Sequence, residues 1–195
     1  LTRKRLSRIL GAQRLEALLS RTRGEAAVRV ALIDGPIARI AALEGLSREH
    51  AGAASELACT TPATFACVHG TGIASILFAE RGMGAPGLCP GCTLVMRPVF
   101  AELPATPSQI PGAEPEELAD ALADCLRAGA GVINMSLGLA HPNPRADRAI
   151  TQVLDSAARL DVVIVAAAGN QGAMGASPIT RHPWVIPVVA CDLLG

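Results

Sequence analysis

Strand-like and helix-like patterns of apolar residues alternate along most of the chain. Short apolar runs rich in β-branched residues predict five strands, at residues 28–33, 93–100, 131–135, 161–167 and 184–190. Apolar positions at helical spacing predict three main helices, at residues 69–80, 115–128 and 144–160. The segment 35–68 lacks a clear period, and we expect a long loop there with one short helix near residues 38–50. Near-continuous apolar strands that alternate with helices predict an α/β fold, with a parallel sheet flanked by helices on both faces.

The composition indicates which residue types form the core. The chain has 195 residues, which favours one domain with a sizeable core, and half of the residues are apolar although only four are aromatic. The core is therefore expected to consist mainly of Ala, Val, Leu and Ile. No apolar run approaches the roughly 20 residues that span a bilayer, so we expect no membrane span. A nucleic-acid partner is not expected either.

Charge is unevenly distributed although the net charge is zero. Residues 1–25 hold seven Lys or Arg against two Glu, with leucines at roughly helical spacing. This pattern predicts a basic amphipathic N-terminal helix over residues 1–25, followed by a domain over residues 26–195. A solvated helix packed on the domain is favoured, and a membrane-surface or partner-binding helix is the alternative. No signal peptide is recognisable, which favours a cytoplasmic location.

Six cysteines offer one closely spaced pair, Cys89 and Cys92, in a Cys-Pro-Gly-Cys turn. Such a pair can bind zinc or cycle as a dithiol, but a structural zinc site usually takes four ligands from two pairs. A local disulfide or two ordinary loop thiols are therefore favoured, and we expect no metal and no cofactor. Cys125 and Cys191 lie in apolar stretches, where buried free thiols are common.

Asp34 and Ser136 directly follow two of the predicted strands, and the turn of Gly169 and Asn170 follows a third. The carboxyl ends of parallel strands share one edge of the sheet, so these residues are expected to converge on one cleft. His69 opens the predicted helix 69–80 and could turn a ring nitrogen into that cleft. Taken singly, each has a plainer interpretation: Asp34 as a turn cap, His69 as a helix cap, and Asn170 as a left-handed turn residue.

Together these residue types suit nucleophilic acyl transfer. That chemistry needs a base for the proton of the nucleophile, a carboxylate that orients the base, and donors for the oxyanion. Asp34 would orient, His69 would be the base, and Asn170 would donate an amide N–H. Ser136 lacks the G-x-S-x-G elbow of a hydrolase nucleophile and better suits pairing with a substrate backbone or turn packing.

The flanking residues carry a family resemblance. Val30-Ala-Leu-Ile-Asp34, His69-Gly-Thr-Gly-Ile-Ala-Ser75, Ile133-Asn-Met-Ser-Leu-Gly138 and Ala167-Ala-Gly-Asn170 occur in the order of subtilisin-like serine proteases, or subtilases, and resemble four of their segments. The resemblance covers about residues 28–192 and implies a subtilisin-like fold. It implies that Asp34 and His69 belong to a catalytic triad, that Asn170 binds the oxyanion, and that Ser136, Leu137 and Gly138 line a peptide-binding groove. Residues 87–92 and 97–100 resemble the subtilases that mature cyanobactin-type peptides.

Two departures from the family qualify this expectation. Residues 80–87 lack the Asn-rich calcium-binding segment of many secreted subtilisins. The Gly-Thr-Ser segment of the nucleophile does not occur among the 195 residues, so the fold is expected to be incomplete at the C-terminus.

These observations predict a serine endopeptidase of which this chain holds only Asp and His, inactive by itself, that acts on a peptide or protein substrate. A longer polypeptide or a second chain would supply the serine. A non-catalytic pseudoprotease or peptide-binding module is the alternative.

Overall fold

The computed structural model describes residues 15–52, 58–82, 86–100, 102, 113–137, 144–169 and 177–190. The six strands are β1 (Arg29–Asp34), β2 (Arg48–His50), β3 (Thr93–Pro98), β4 (Val132–Met135), β5 (Val163–Ala167) and β6 (Val185–Val188). The five α-helices of the described residues are α1 (Leu15–Arg21), α2 (Phe65–Phe78), α3 (Pro115–Arg127), α4 (Pro144–Arg159) and α5 (Pro178–Arg181).

The strands form one sheet in the order β2-β3-β1-β4-β5-β6, and every neighbouring pair is parallel. β1 lies inside the sheet between β3 and β4, and all its residues except the first are buried. Burial on both faces explains why its sequence is a continuous apolar run rather than an alternating one. The predicted α/β fold with a parallel sheet is confirmed, and all six carboxyl ends lie along one edge.

Helices cover both faces of the sheet, as predicted. α2 packs on one face, where Ala74 and Phe78 join Leu32 and Leu94 in a buried cluster. α3 and α4 pack on the other face, over a larger cluster that includes Ile33. Phe78 is the one aromatic residue among the largest fully buried side chains of the described residues, so the core is mainly aliphatic as expected.

An ion-pair network joins α3 to the sheet. Arg97 on β3 is buried, and its guanidinium donates to Asp124 at 2.8 Å and lies 2.7 Å from a Glu117 carboxylate oxygen. Two carboxylates from one helix therefore neutralise a buried cation from the sheet, which fixes α3 over β3.

Among the described residues, nothing covers β5 and β6 on the face that carries α2. Val163, Ile186 and Val188 project from this face and are 39%, 52% and 50% exposed. A run of large apolar side chains on two adjacent strands is unusual for a surface that faces only water.

Three local elements differ from the sequence-based prediction. The short helix expected near residues 38–50 is a 3-10 helix at Ala41–Leu43 followed by β2, which is too short and too polar to show a strand period. The helix expected at residues 69–80 begins earlier, at Phe65, because the Thr64 hydroxyl accepts from the Cys67 N–H and caps it. α5 was not predicted, and it is a single turn that Ser177 caps.

The predicted N-terminal helix is described only in part. α1 covers residues 15–21 and has no buried residue, and the remainder of the predicted helix before Leu15 lies outside the described residues. The boundary between residues 1–25 and 26–195 stays a prediction. In the described part of the chain, no helix is both long enough and apolar enough to cross a membrane.

Candidate active site

Asp34 and His69 meet at the carboxyl edge of the sheet. Asp34 is the last residue of β1, and His69 lies in the second turn of α2 rather than at its start. The His69 Nδ1 atom is 2.7 Å from the Asp34 Oδ1 atom. The carboxylate is fully buried, whereas the imidazole is 33% exposed. A buried carboxylate therefore holds one side of an imidazole ring that is itself partly exposed to solvent.

Two glycines allow this contact. A Cβ on Gly70 would lie 2.4 Å from the Gly35 carbonyl oxygen, and a Cβ on Gly35 would lie 2.1 Å from the Ala66 carbonyl oxygen. Only residues without a side chain permit α2 to approach the end of β1 so closely. Gly72, two residues further along α2, has open space around it and takes no part in this close approach.

Hydrogen bonds fix the carboxylate of Asp34. Its Oδ1 atom also accepts from the Gly35 N–H at 2.6 Å, so one oxygen serves both the ring and the backbone. Its Oδ2 atom is buried and has no hydrogen-bond partner among the described residues. Most buried polar atoms in folded proteins are satisfied, so this oxygen is expected to receive a donor from elsewhere.

The environment of His69 favours its protonated form. The hydrogen bond to Asp34 raises the pKa of His69 above 6.5, burial opposes that shift, and the charge of Asp34 adds to it. Because the carboxylate accepts from Nδ1, the neutral ring carries its proton there and leaves Nε2 as the basic atom. Nε2 has no partner among the described residues, and the Phe65 ring stacks on the imidazole with centroids 5.7 Å apart. The ring is thus oriented and free to exchange a proton.

Ser136 and Leu137 lie on the same edge. β4 pairs Met135 with Ile33, so Ser136 follows β4 at the level of Asp34. The Ser136 hydroxyl accepts from the Asn134 side-chain amide at 2.9 Å, and Leu137 is buried. The predicted convergence of strand ends is therefore present for Asp34 and Ser136.

Gly138 and Asn170 lie outside the described residues. β5 ends at Ala167, and Gly169 follows it with φ of +90°, a left-handed conformation that glycine adopts without strain. The turn that leads to residue 170 thus starts at the same edge of the sheet.

A disulfide next to the site was not predicted. Cys59 and Cys67 are bonded, which ties the segment before α2 to the helix that carries His69. The Glu102 carboxylate accepts from the Thr60 N–H at 2.9 Å and lies 2.6 Å from the Cys67 sulfur. The side chains of Cys59, Cys67 and Glu102 are close enough together for a metal site, but sulfurs joined in a disulfide are not thiolate ligands. Cysteine spacing alone gives no signal for this pairing.

The Cys89 and Cys92 pair is reduced in the structure, so the local disulfide is not formed. The two residues form a tight turn in which the Cys92 N–H donates to the Cys89 carbonyl at 3.0 Å. Burial and the neighbouring Cys92 raise the pKa of Cys89 to about 12, which makes it a poor nucleophile. Cys125 is a buried free thiol, as expected, and burial raises its pKa to about 12. Cys191 lies outside the described residues.

Known structures share this fold. A serine-to-alanine mutant of the protease domain of PatA is 27% identical, with a TM-score of 0.73, and the match covers 88% of this chain and 60% of that one. The prenylagaramide maturation protease PagA is 25% identical, also with a TM-score of 0.73, over 91% of this chain and 58% of that one. The PatG macrocyclase in complex with a peptide is 17% identical, with a TM-score of 0.69, and the match covers 93% of this chain and 62% of that one. At this identity the similarity supports the fold alone. The chain thus spans about three fifths of these proteins.

These similarities confirm the expected resemblance to subtilases that mature peptides. No curated protein sequence matches the chain. The family model described as the subtilase family matches residues 46–192, which is most of the chain. This chain therefore belongs to the subtilase family.

Proposed function

We propose that the protein is a serine endopeptidase that cleaves peptide bonds by acyl transfer. The observation that carries this proposal is the 2.7 Å contact between His69 and a fully buried Asp34. A carboxylate that accepts from Nδ1 orients the imidazole and stabilises the imidazolium that forms when Nε2 takes a proton. Membership of the subtilase family and similarity to maturation proteases support the same reaction.

Each residue then has a defined role. His69 removes the proton from a serine hydroxyl and returns it to the leaving amine, and Asp34 keeps the ring in the required tautomer. Asn170 stabilises the oxyanion of the tetrahedral intermediate with its side-chain amide. Ser136, Leu137 and Gly138 pair with the substrate backbone beside β4.

The nucleophilic serine comes from a segment outside these 195 residues, in the same polypeptide or a second chain. No Gly-Thr-Ser segment occurs in the sequence. Val163, Ile186 and Val188 expose apolar surface on the face that carries α2, and a segment packed on β5 and β6 would cover it. Residues 1–195 alone are expected to be inactive, because subtilisin without its serine loses a factor of about 2 × 10⁶ in kcat.

A peptide-binding module without catalysis is the second candidate. It would retain the groove beside Ser136 and Leu137 but would not need the hydrogen bond between Asp34 and His69. The cytoplasmic location expected from the sequence stays a prediction, and the Cys59–Cys67 disulfide is more typical of an oxidising compartment.

Peptide hydrolysis by the protein from its native host tests the proposal. The intact mass of that protein is measured first, and a value above 20.0 kDa shows that the polypeptide continues. Cleavage of a denatured protein substrate is then compared between the wild type and His69→Ala. His182→Gln is the matched control, since His182 also contacts a carboxylate, Asp155 at 3.2 Å, away from the site.

We expect His69→Ala to lose cleavage and the control to retain it. Equal cleavage by His69→Ala and the wild type refutes the proposed mechanism. Absence of cleavage by the wild type, with retained peptide binding, favours the non-catalytic module.

A further inference from the structure

A basic cavity lies beside the candidate active site. It has a volume of about 420 Å³, and three of its lining side chains are Arg39, Arg48 and His50. Ile37 and Met96 supply apolar wall, and the disulfide residue Cys59 closes another side. Among the described residues, no acidic side chain lines this cavity. It therefore combines an apolar wall with an excess of positive charge.

The cavity opens on the same side of the sheet as α2. β2 pairs Arg48 with Leu94 and His50 with Met96, and partners in register project to the same face. Leu94 belongs to the cluster under α2, so Arg48 and His50 also project toward that side. Glu49 projects to the opposite face, where it pairs with Arg29. The alternation of β2 thus separates the Glu49–Arg29 ion pair from the side chains of Arg48 and His50 on the other face.

The cavity also reaches the strand next to Asp34. Pro98 lines it, and Pro98 is the register partner of Asp34. Arg48 and His50 lie on β2, two strands or about 9.6 Å from β1, and an extended peptide advances about 3.4 Å per residue. A peptide positioned for cleavage by His69 would therefore place a side chain two or three residues from the cleaved bond at the cavity.

The local structure holds this wall firmly against α2. The loop after β1 is tied to the helix because the Ala38 N–H donates to the Thr71 hydroxyl at 2.8 Å. The Arg48 guanidinium donates to the Leu43 carbonyl at 2.6 Å, which leaves its other donors available. Arg48 is thus held in place at the cavity, whereas Arg39 and His50 are exposed side chains at its rim.

The positive charge has no counter-ion among the described residues. Neither Arg39 nor Arg48 lies within ion-pair distance of a described carboxylate. Glu44 lines a neighbouring cavity with both arginines but pairs with neither. Burial, and then the like charge of Arg39, lower the pKa of Arg48. Two arginines held together without an acid form a site that an anion would stabilise.

We infer that this cavity is a specificity subsite that binds the carboxylate of an Asp or Glu side chain two or three residues from the cleaved bond of the substrate. The inference rests on the proposed function, because it places the substrate peptide along the edge that holds Asp34 and His69. A guanidinium fork matches a carboxylate with two hydrogen bonds, and the apolar wall accepts the methylene groups of the same side chain. A carboxylate from this protein's own chain, outside the described residues, is the competing source of the same chemistry.

Cleavage profiling of the full-length protein tests the subsite. A peptide library is digested, and the residues within three positions on either side of each cleaved bond are counted. We expect enrichment of Asp and Glu at one position, with kcat/KM roughly ten- to a hundredfold higher for a Glu peptide than for its Gln counterpart. Arg39→Gln should remove most of that preference, and Arg39→Glu should favour Lys or Arg at the same position. Arg159→Gln is the control, since Arg159 on α4 donates to the Ser156 hydroxyl and α4 packs on the opposite face of the sheet from the cavity.

A profile without acidic preference overturns the subsite while leaving the proposed peptidase activity intact. An acidic preference that neither Arg39→Gln nor Arg39→Glu changes also overturns the subsite. If both variants are in addition less stable than the wild type, a carboxylate of the protein itself occupies the cavity. Gain of a basic preference in Arg39→Glu cannot arise from misfolding and therefore supports the subsite directly.

A binding measurement separates the subsite from catalysis. Hexapeptide pools with Glu or Gln fixed at one position are titrated into the His69→Ala variant by calorimetry, so that no turnover is needed. We expect tighter binding of the Glu pool and loss of the difference when Arg39→Gln is added. If the wild type cleaves nothing yet this difference is present, the proposed function fails and the subsite stands. Equal binding of the two pools overturns the subsite.

Discussion

Gly70→Ala should separate His69 from Asp34 by a distance that the structure fixes. The new Cβ would lie 2.4 Å from the Gly35 carbonyl oxygen, whereas ordinary contact begins at 3.4 Å, so α2 or the β1 loop must move by about 1 Å. The same movement would lengthen the 2.7 Å contact between His69 and Asp34 to about 3.7 Å, beyond hydrogen-bond range. Overpacking of this kind typically costs about 1–3 kcal/mol of stability.

Gly72→Ala is the matched control on the same helix. A Cβ on Gly72 meets no atom within 4 Å, so the substitution adds no clash. Alanine is favoured over glycine inside a helix by roughly 0.5–1 kcal/mol, and this variant should be slightly more stable than the wild type. The two variants make the same chemical change two residues apart, with opposite expected signs.

Urea unfolding and an NMR titration of the His69 ring measure both consequences. Gly70→Ala should lower the free energy of unfolding and should also lower the pKa of His69, because the hydrogen bond that raises it is lost. Under the proposed mechanism, it should also reduce the kcat of peptide cleavage by the full-length protein. Wild-type stability and an unchanged His69 pKa in Gly70→Ala would show that the glycine contact does not hold the two residues together.

Three further predictions follow from individual contacts. Asp34→Asn should lower the pKa of His69, which an NMR titration measures. In the wild type, the stability that this hydrogen bond contributes is complete below pH 6.5 and is lost as the pH rises through the raised pKa of the folded state. Urea unfolding of the variant at several pH values should show that this pH dependence has been removed. Reduction of the Cys59–Cys67 disulfide, which spans 8 residues, should lower the free energy of unfolding by about 2–3 kcal/mol, as measured by thermal unfolding. A reductant that destabilises Cys59→Ser as much as the wild type would contradict this prediction. Arg97→Met should cost about 1–3 kcal/mol in urea unfolding, since Glu117 loses its cation and Asp124 keeps only Arg127, and a variant as stable as the wild type would show that the network is dispensable.

The sheet could be predicted because strands buried on both faces leave a simple signal. Val30 to Ile33 read as an uninterrupted apolar run, and that run is the buried part of β1. β2 could not be found in this way, because Arg48, Glu49 and His50 form a short edge strand with polar side chains on both faces. The same polarity makes β2 the wall of the basic cavity.

The start of α2 carried a signal that periodicity alone does not use. Thr64 precedes the apolar residues Phe65 to Val68, and its hydroxyl caps the helix. His69 is therefore inside the helix, where the ring projects sideways toward Asp34. The Cys59–Cys67 pairing lacks such a local signal, because it depends on how the loop folds back on the helix.

The sequence predicted which edge of the sheet carries the candidate site, but the strand pattern did not predict the contact between Asp34 and His69. Strand ends alone bring Asp34 and Ser136 to the same level, which follows from parallel pairing. The 2.7 Å distance from Asp34 to His69 depends in addition on two missing side chains, at Gly35 and Gly70. Sequence patterns give no measure of such a close approach, and the family resemblance supplied that expectation instead.

Covalent labelling of the full-length protein with a fluorophosphonate tests the central claim most directly. The reagent reacts with a serine that a neighbouring base activates, and peptide mapping then identifies the labelled residue. We predict one labelled serine outside residues 1–195, with labelling lost in His69→Ala and strongly reduced in Asp34→Asn. Labelling of Ser136, or labelling that persists at the wild-type rate in His69→Ala, would contradict the role of the Asp34–His69 pair.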